Sequence, residues 1–257
     1  MSYSLEGKIV FITGASSGIG EACARAFAGA GARLILCARR VQRVESLAAE
    51  LKVPTHVITL DVRDQQAVQR AVDQLPREWA SIEVLINNAG LSRELTRLQE
   101  YSIDDINEMV DTNVKGLLYV TRAVLPGMIA RNKGHIINIG STAGHWTYPN
   151  GAVYCATKAA VKSISEGLKM DLNGTTVRIS SVDPGLVETE FSIVRFHGDA
   201  ARAKKVYEGV KPLTGTDVAD VVLYCATRPP HVNINDVVLM PVAQASATQV
   251  YRGPLDV

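Results

Sequence analysis

Tyr154 and Lys158 stand four residues apart in Tyr154-Cys-Ala-Thr-Lys158, and Ser141 stands thirteen residues upstream of the tyrosine. At 3.6 residues per turn, a tyrosine and a lysine at that spacing share one face of a helix. A free phenol ionises near pH ~10, too high for proton transfer at neutral pH, and an ammonium fixed beside it favours the phenolate. A serine hydroxyl aimed at the same point can hold a carbonyl or alcohol oxygen against the phenol. Together these residue types offer general acid–base chemistry on a C–O group. A Tyr-x-x-x-Lys pair also occurs on ordinary exposed helices, so the assignment turns on what surrounds it.

The segment Lys8-Ile-Val-Phe-Ile-Thr-Gly14-Ala-Ser-Ser-Gly18-Ile-Gly20 supplies that context. Its apolar run reads as a buried strand, and a helical pattern follows from about Ile19 to Ala30. Glycines between strand and helix let the backbone approach a pyrophosphate closely. The helix start then offers free N–H groups and the positive end of its dipole. Gly14, Ser16, Ser17, Gly18, Ile19 and Gly20 are therefore candidate phosphate contacts. Their spacing is GxxxGxG rather than the commoner GxGxxG.

Positioning these groups requires a scaffold, and the chain alternates strand and helix throughout. Strand-like runs lie at Ile9–Thr13, Arg33–Cys37, His56–Leu60, Val84–Asn87, His135–Gly140, Arg178–Val182 and Val237–Met240. Nearly continuous apolar strands between amphipathic helices predict an α/β fold, a doubly wound parallel sheet of Rossmann type covered on both faces. Ser102-Ile-Asp-Asp105 and Thr214-Gly-Thr-Asp217 read as capping-box helix starts. No repeat, charge block or low-complexity linker interrupts the chain, so residues 1–257 are expected to form a single domain. The charge-rich stretch 188–210 reads as a mobile lid, and a polar tail runs over 241–257.

Composition narrows the function. The 257 residues are 47% hydrophobic and carry a net charge of +1, so there is no basic field to suggest nucleic acid. No apolar stretch reaches the ~20 residues of a membrane span. Cys23, Cys37, Cys155 and Cys225 lack metal-ligand spacing and read as reduced thiols. The N-terminus shows no signal-peptide pattern. The expectation is a cytoplasmic enzyme with no metal, nucleic-acid or membrane partner.

With these pieces in order, the chain resembles the short-chain dehydrogenase/reductase family. The resemblance rests on Thr13-Gly-Ala-Ser-Ser-Gly-Ile-Gly20, Asp61-Val62, Asn87-Asn-Ala-Gly90, Asn113, Ser141, Tyr154, Lys158 and Pro184-Gly185, and covers nearly the whole chain. It implies hydride transfer between a nicotinamide cofactor and a carbonyl carbon, with Tyr154 exchanging the proton on oxygen and Ser141 orienting that oxygen. It further implies that Lys158 lowers the tyrosine pKa and holds the nicotinamide ribose, and that Asn113 extends a water-linked proton relay. Asp61 and Val62 are expected beside the adenine, and Asn87 and Gly90 along the cofactor cleft. Pro184, Gly185, Val187 and Thr189 are expected near the nicotinamide. A homotetramer, common in the family, is the expected assembly.

Cofactor choice can be argued at the end of the second strand, where an acidic residue would bind the ribose diol and repel a 2′-phosphate. Aligned with the family, that position holds Ala38, followed by Arg39 and Arg40. Guanidinium forks suit phosphate, which predicts NADP(H).

For the substrate, Gly140–Tyr148, Asp183–Asp199 and His231–Asn235 resemble a narrower group, the NADP-dependent 3-hydroxy acid dehydrogenases, with sulfoacetaldehyde reductases in the same neighbourhood. Both act on short molecules with an anionic tail. Arg195, in an otherwise apolar Val-Arg-Phe, is the candidate clamp for that tail, alongside Ser141, Tyr148, Tyr154 and Gln244. A carboxylate suits one bidentate arginine, whereas a sulfonate benefits from donors on several sides. His145, Arg93, Arg252 and a tail reaching a neighbouring subunit could add such donors. This surplus tilts the sequence reading toward reduction of sulfoacetaldehyde to isethionate, with 3-hydroxy acids as the alternative. A non-catalytic NADP sensor and a reductase of bulky apolar ketones are the readings outside these two.

Overall fold

The computed structural model describes residues 3–255; Met1, Ser2, Asp256 and Val257 lie outside the described residues, and with them the last two positions of the expected tail. In chain order the elements are β1 (Ile9–Thr13), α1 (Gly18–Gly29), β2 (Arg33–Ala38), α2 (Val41–Glu50), β3 (Thr55–Thr59), α3 (Gln65–Asp73), β4 (Ile82–Asn87) and α4 (Ile103–Val110). They continue with α5 (Leu117–Ala130), β5 (Gly134–Ile139), α6 (Ala152–Asp171), β6 (Val177–Pro184), α7 (Phe191–Arg195), α8 (Ala200–Lys205), α9 (Gly215–Ala226) and β7 (Asp236–Leu239). Each apolar run read from the sequence is a strand, with ends displaced by only one or two residues.

Among the described residues the strands form one parallel sheet in the order β3-β2-β1-β4-β5-β6-β7. Side chains alternate across a strand, and here both faces are covered. Val10 and Ile12 of β1 pack with Phe27 of α1, Val44 of α2 and Val222 of α9. Ile9 and Phe11 of the same strand pack on the other face with Val68 of α3 and Val124 and Met128 of α5. Burying each such side chain contributes roughly 1.5–3 kcal/mol, so neither face tolerates a polar substitute and the strands read as continuous apolar runs.

The strand order builds outward from the middle. From β1 the chain moves through β2 to the β3 edge, then returns to β4 and proceeds the other way to β7. Connections after β1 and β4 therefore leave the sheet on opposite sides and open a crevice at the carboxyl ends of the strands. Most catalytic and cofactor candidates follow strand ends on this side or line the helices facing it.

Both expected helix starts form. Thr214 and Asp217 make a complete capping box at α9. At α4 the Ser102 hydroxyl accepts from Asp105 N–H at 3.0 Å, but the reciprocal half is missing. The Asp105 carboxylate lies instead 3.3 Å from His197 Nε2 and 4.0 Å from Arg93, which draw it away from the cap.

Candidate active site

The glycine turn between β1 and α1 is set by close packing. Gly14 (φ +67°) and Gly18 (φ +58°) occupy the left-handed region. A Cβ on Gly20 would lie 2.3 Å from the Gly14 carbonyl oxygen, so Gly20 acts as a spacing residue and does not line the cleft. Asn88, following β4, locks the turn by donating to the carbonyls of Thr13 (2.9 Å) and Gly14 (3.1 Å). Ser17 occupies the N-cap of α1 but makes no side-chain cap bond; its hydroxyl accepts from Arg40 at 2.8 Å. No side-chain cap therefore covers the first N–H groups of α1, which suits them to an anion.

The end of β2 carries no acid. Ala38 is followed by Arg39 and by Arg40, whose guanidinium donates to the Ser16 and Ser17 hydroxyls and pairs with Glu190 at 2.8 Å. Arg43 also holds Glu190, at 2.6 Å. A carboxylate of the chain itself thus pairs with one of the guanidinium groups expected at the 2′-phosphate. Arg39 lies 3.5 Å from Glu108.

Ser141 follows β5 and begins the short 3₁₀ turn Thr142–Gly144, its hydroxyl accepting from Ala143 N–H at 3.1 Å. Tyr154 and Lys158 lie one turn apart on α6 and are both buried. Lys158 Nζ donates to the Ile139 carbonyl at 2.8 Å and sits 5.9 Å from the phenol ring centre. Burial raises the Tyr154 pKa; the opposing influences are the Arg195 charge and a hydrogen bond with Ser141. Burial also lowers Lys158 to about 8, with the Asp183 charge acting the other way.

Asn113 sits in a π-helical segment, Asp111–Gly116, joining α4 to α5. Such insertions cluster at functional sites. Its amide accepts from Leu91 N–H (2.8 Å) and donates to the Leu91 carbonyl (2.7 Å) and to Thr157 Oγ1 (3.0 Å). The side chain therefore ties the loop after β4 to α6. Asn87 is also inward, donating to Thr121 and Asn138, and supports the sheet rather than lining the cleft.

The expected lid is a packed helical pair. Tyr207 joins Ser192 (2.7 Å) and the Val187 carbonyl (2.9 Å), and Arg202 pairs with Glu94. Within it Arg195, 9% exposed, places its guanidinium 4.9 Å from the Phe191 ring and 5.6 Å from the Tyr154 ring. Its Nε has no hydrogen-bond partner, and it makes no salt bridge among the described residues. Of the other proposed donors, Tyr148 lines the cleft, and four are engaged within the chain. Arg93 holds Glu108 (2.7 Å) and the Val194 carbonyl. His145 meets Asp183 at 2.6 Å. Gln244 accepts from Leu186 N–H (2.8 Å) and donates to the Ser246 carbonyl (3.1 Å), bracing the Pro184-Gly185-Leu186 turn. Arg252 donates to the carbonyls of Val206 and Glu208, so the described tail folds back on its own lid.

These parts line one cleft of about 710 Å³. It brings together Gly14, Ser16, Ser17, Gly18, Ile19, Arg39, Arg40, Asp61, Val62 and Gly90 at one end. Ser141, Tyr148, Tyr154, Lys158, Pro184, Gly185, Val187, Thr189, Arg195 and Gln244 lie along the rest. Of the predicted site residues, Gly20, Asn87 and Asn113 stand behind the wall. Sequence reasoning missed Asn88, Asp183 and Glu190. Asn88 lies in the quoted Asn-Asn-Ala-Gly run, but only strand alternation in space tells which asparagine faces the turn.

A phosphate-accepting turn that shares a cleft with a buried phenol and hydroxyl has the layout of a dinucleotide-dependent oxidoreductase. The short chain dehydrogenase family model matches residues 8–199, and the chain belongs to that family. Among its relatives, the NADP-dependent 3-hydroxy acid dehydrogenase YdfG of Shigella flexneri is 49% identical over 240 residues, 93% of this chain and 97% of that protein. Sulfoacetaldehyde reductase 2 of Chromohalobacter salexigens is 48% identical over 240 residues, 92% of this chain and 95% of that one. A closed form of serine dehydrogenase complexed with NADP+ superposes with a TM-score of 0.91 at 48% identity, covering 93% of this chain and 97% of that chain.

Proposed function

We propose that the protein is an NADP(H)-dependent dehydrogenase interconverting a small 3-hydroxy acid and its 3-oxo form. The observation that carries the substrate class is Arg195: a buried guanidinium without a carboxylate partner, stacked beside Tyr154 in the same cleft. Leaving such a charge uncompensated is costly unless a ligand completes it. One planar fork matches one carboxylate. Arg93, Gln244, His145 and Arg252, which a sulfonate would recruit, are already bonded within the chain. That engagement is why the 3-hydroxy acid reading stands ahead of sulfoacetaldehyde. The reductase relative at 48% identity keeps sulfoacetaldehyde as the second reading.

The residues present fit the cofactor. The glycine turn and uncapped start of α1 suit a pyrophosphate, while Arg39, Arg40 and Ser16 beside an acid-free strand end suit a 2′-phosphate. When bound, NADP(H) supplies or removes the hydride. In reduction Tyr154 donates its proton to the carbonyl oxygen, which Ser141 holds, while Arg195 anchors the anionic tail and fixes the short substrate at both ends. In oxidation the tyrosinate takes the alcohol proton. A proton transfer of this kind is worth about 10²–10⁴-fold. The assembly proposed, on family resemblance, is a homotetramer.

NADPH consumption with malonic semialdehyde, sulfoacetaldehyde and an uncharged short aldehyde, for wild type and Arg195→Ala, tests this. Preference for malonic semialdehyde, lost in the variant, is expected. Preference for sulfoacetaldehyde would move the assignment to the second reading, and preference for the uncharged aldehyde would remove the clamp. No turnover with any substrate would favour the sensor reading.

A further inference from the structure

Asp183 is a buried carboxylate that the proton transfer described above does not use. It lies in β6 just before Pro184-Gly185 and is 1% exposed. Both its oxygens are occupied by donors: Oδ1 accepts from Ser181 Oγ at 2.5 Å, and Oδ2 meets His145 Nε2 at 2.6 Å. The same Oδ1 presses on the residue before the site serine. A Cβ added to Gly140 would lie 1.8 Å from it, so only glycine fits there. Gly140 N–H in turn donates to the Val182 carbonyl at 2.9 Å.

The segment thus touched is the one that carries Ser141. Gly140 precedes that serine, and His145 closes the turn it begins, with His145 N–H donating to the Thr142 carbonyl at 3.0 Å. Ile139, one residue earlier, supplies the carbonyl that holds Lys158. We propose that Asp183 and His145 are positioning residues: one carboxylate bonds His145 at the far end of the Ser141 turn and packs against Gly140 at its near end. This inference rests on the roles proposed for Ser141 and Tyr154, and on the role the family resemblance implies for Lys158 as a cation in the site.

The charge matters as well as the shape. Burial disfavours the Lys158 ammonium, and Asp183 is the group that opposes this. The titratable groups facing Asp183 are His145 from the turn, Tyr154, Lys158 and Lys162 from α6, and Asp236 from β7. Asp183→Asn keeps the volume but removes the charge and leaves one of two donors facing an amide N–H. The Lys158 ammonium then becomes easier to deprotonate, and activity that depends on it fails at lower pH.

The experiment compares His145→Ala, His145→Gln and Asp183→Asn in the full chain, with NADPH and the best of the three aldehydes. His145→Ala should lower kcat about 10- to 100-fold through misplacement of Ser141, with the NADPH dissociation constant unchanged. His145→Gln, whose amide can donate in place of the imidazole, should restore most of it. Asp183→Asn should move the alkaline limb of the kcat profile to lower pH by about one unit. Wild-type kcat in His145→Ala, or an unmoved limb in a folded Asp183→Asn, overturns the clasp; if Asp183→Asn does not fold, the two His145 variants decide. Tyr154→Phe, run alongside, separates the layers. Turnover retained there removes the acid and the clasp with it, whereas turnover lost there but normal in the clasp variants removes the clasp alone.

Discussion

At the scale of single residues, the cleft sets a phenol against its surroundings. Burial raises the Tyr154 pKa and so favours its protonated form, and the Arg195 charge is the largest influence acting the other way. That state suits an acid in reduction. Tyr154→Phe should lower kcat by about 10²–10⁴-fold while leaving NADPH binding, followed by fluorescence titration, near wild type. Arg195→Met removes the opposing cation, so the phenol pKa rises further. In the oxidative direction, where tyrosinate is the active form, the acid limb of kcat should shift to higher pH. An unmoved limb would confine Arg195 to substrate binding. At the other end of the cleft, Arg40→Asp should raise the KM for NADPH about tenfold or more, since charge-assisted phosphate contacts are the strong ones, and leave NADH nearly unaffected. Equal losses for both cofactors would place Arg40 outside phosphate recognition.

At the scale of elements, the phosphate-binding end of α1 is held by its neighbours. The start of α9 abuts it: a Cβ on Gly215 would lie 3.0 Å from the Gly18 carbonyl oxygen. The capping box at Thr214 therefore secures a helix that α1 leans on. Thr214→Ala should cost about 1 kcal/mol, read as a fall in Tm of roughly 2–4 °C for a chain of this size. The helix pair α7–α8 is tied on one side by Arg202 to Glu94 and on the other by Arg252 to the Val206 carbonyl.

At the scale of the whole molecule, one buried histidine sets the acid response of the sheet. His135 of β5 bonds to Ser180 Oγ of β6 at 2.8 Å, and its Nδ1 has no partner. Burial, aided by the charges of Arg178 and Lys169, lowers its pKa well below the ordinary value. Below pH ~6.5 the unfolded chain binds a proton there that the folded chain does not, so stability falls with pH by up to about 1.4 kcal/mol per unit. Denaturant unfolding between pH 7 and 5 should show this slope, and His135→Gln should flatten it. Equal slopes in the two proteins would assign the loss to other groups. Arg178, beside it in the sheet, offsets part of its own burial cost by donating to the carbonyls of Ala226, Arg228 and Val232, although burial still lowers its pKa.

The sequence by itself determined the alternation of strands and helices, the glycine turn, the Tyr154–Lys158 face and the absence of an acid after β2. Each of these is a local pattern, because strand and helix periods and turn chemistry act over a few neighbouring residues. What only the tertiary structure decided are the pairings across the strand order. Arg93, Gln244 and Arg252 look like free donors in the sequence, yet each is bonded to groups far away in the chain. Lys158 reads as the partner of the phenol four residues before it, and only the fold adds its bond to the Ile139 carbonyl at the end of β5. His145 and Asp183 lie 38 residues apart and meet only because β5 and β6 are neighbours in the sheet. No local period reports such a contact, since topology brings the two side chains together.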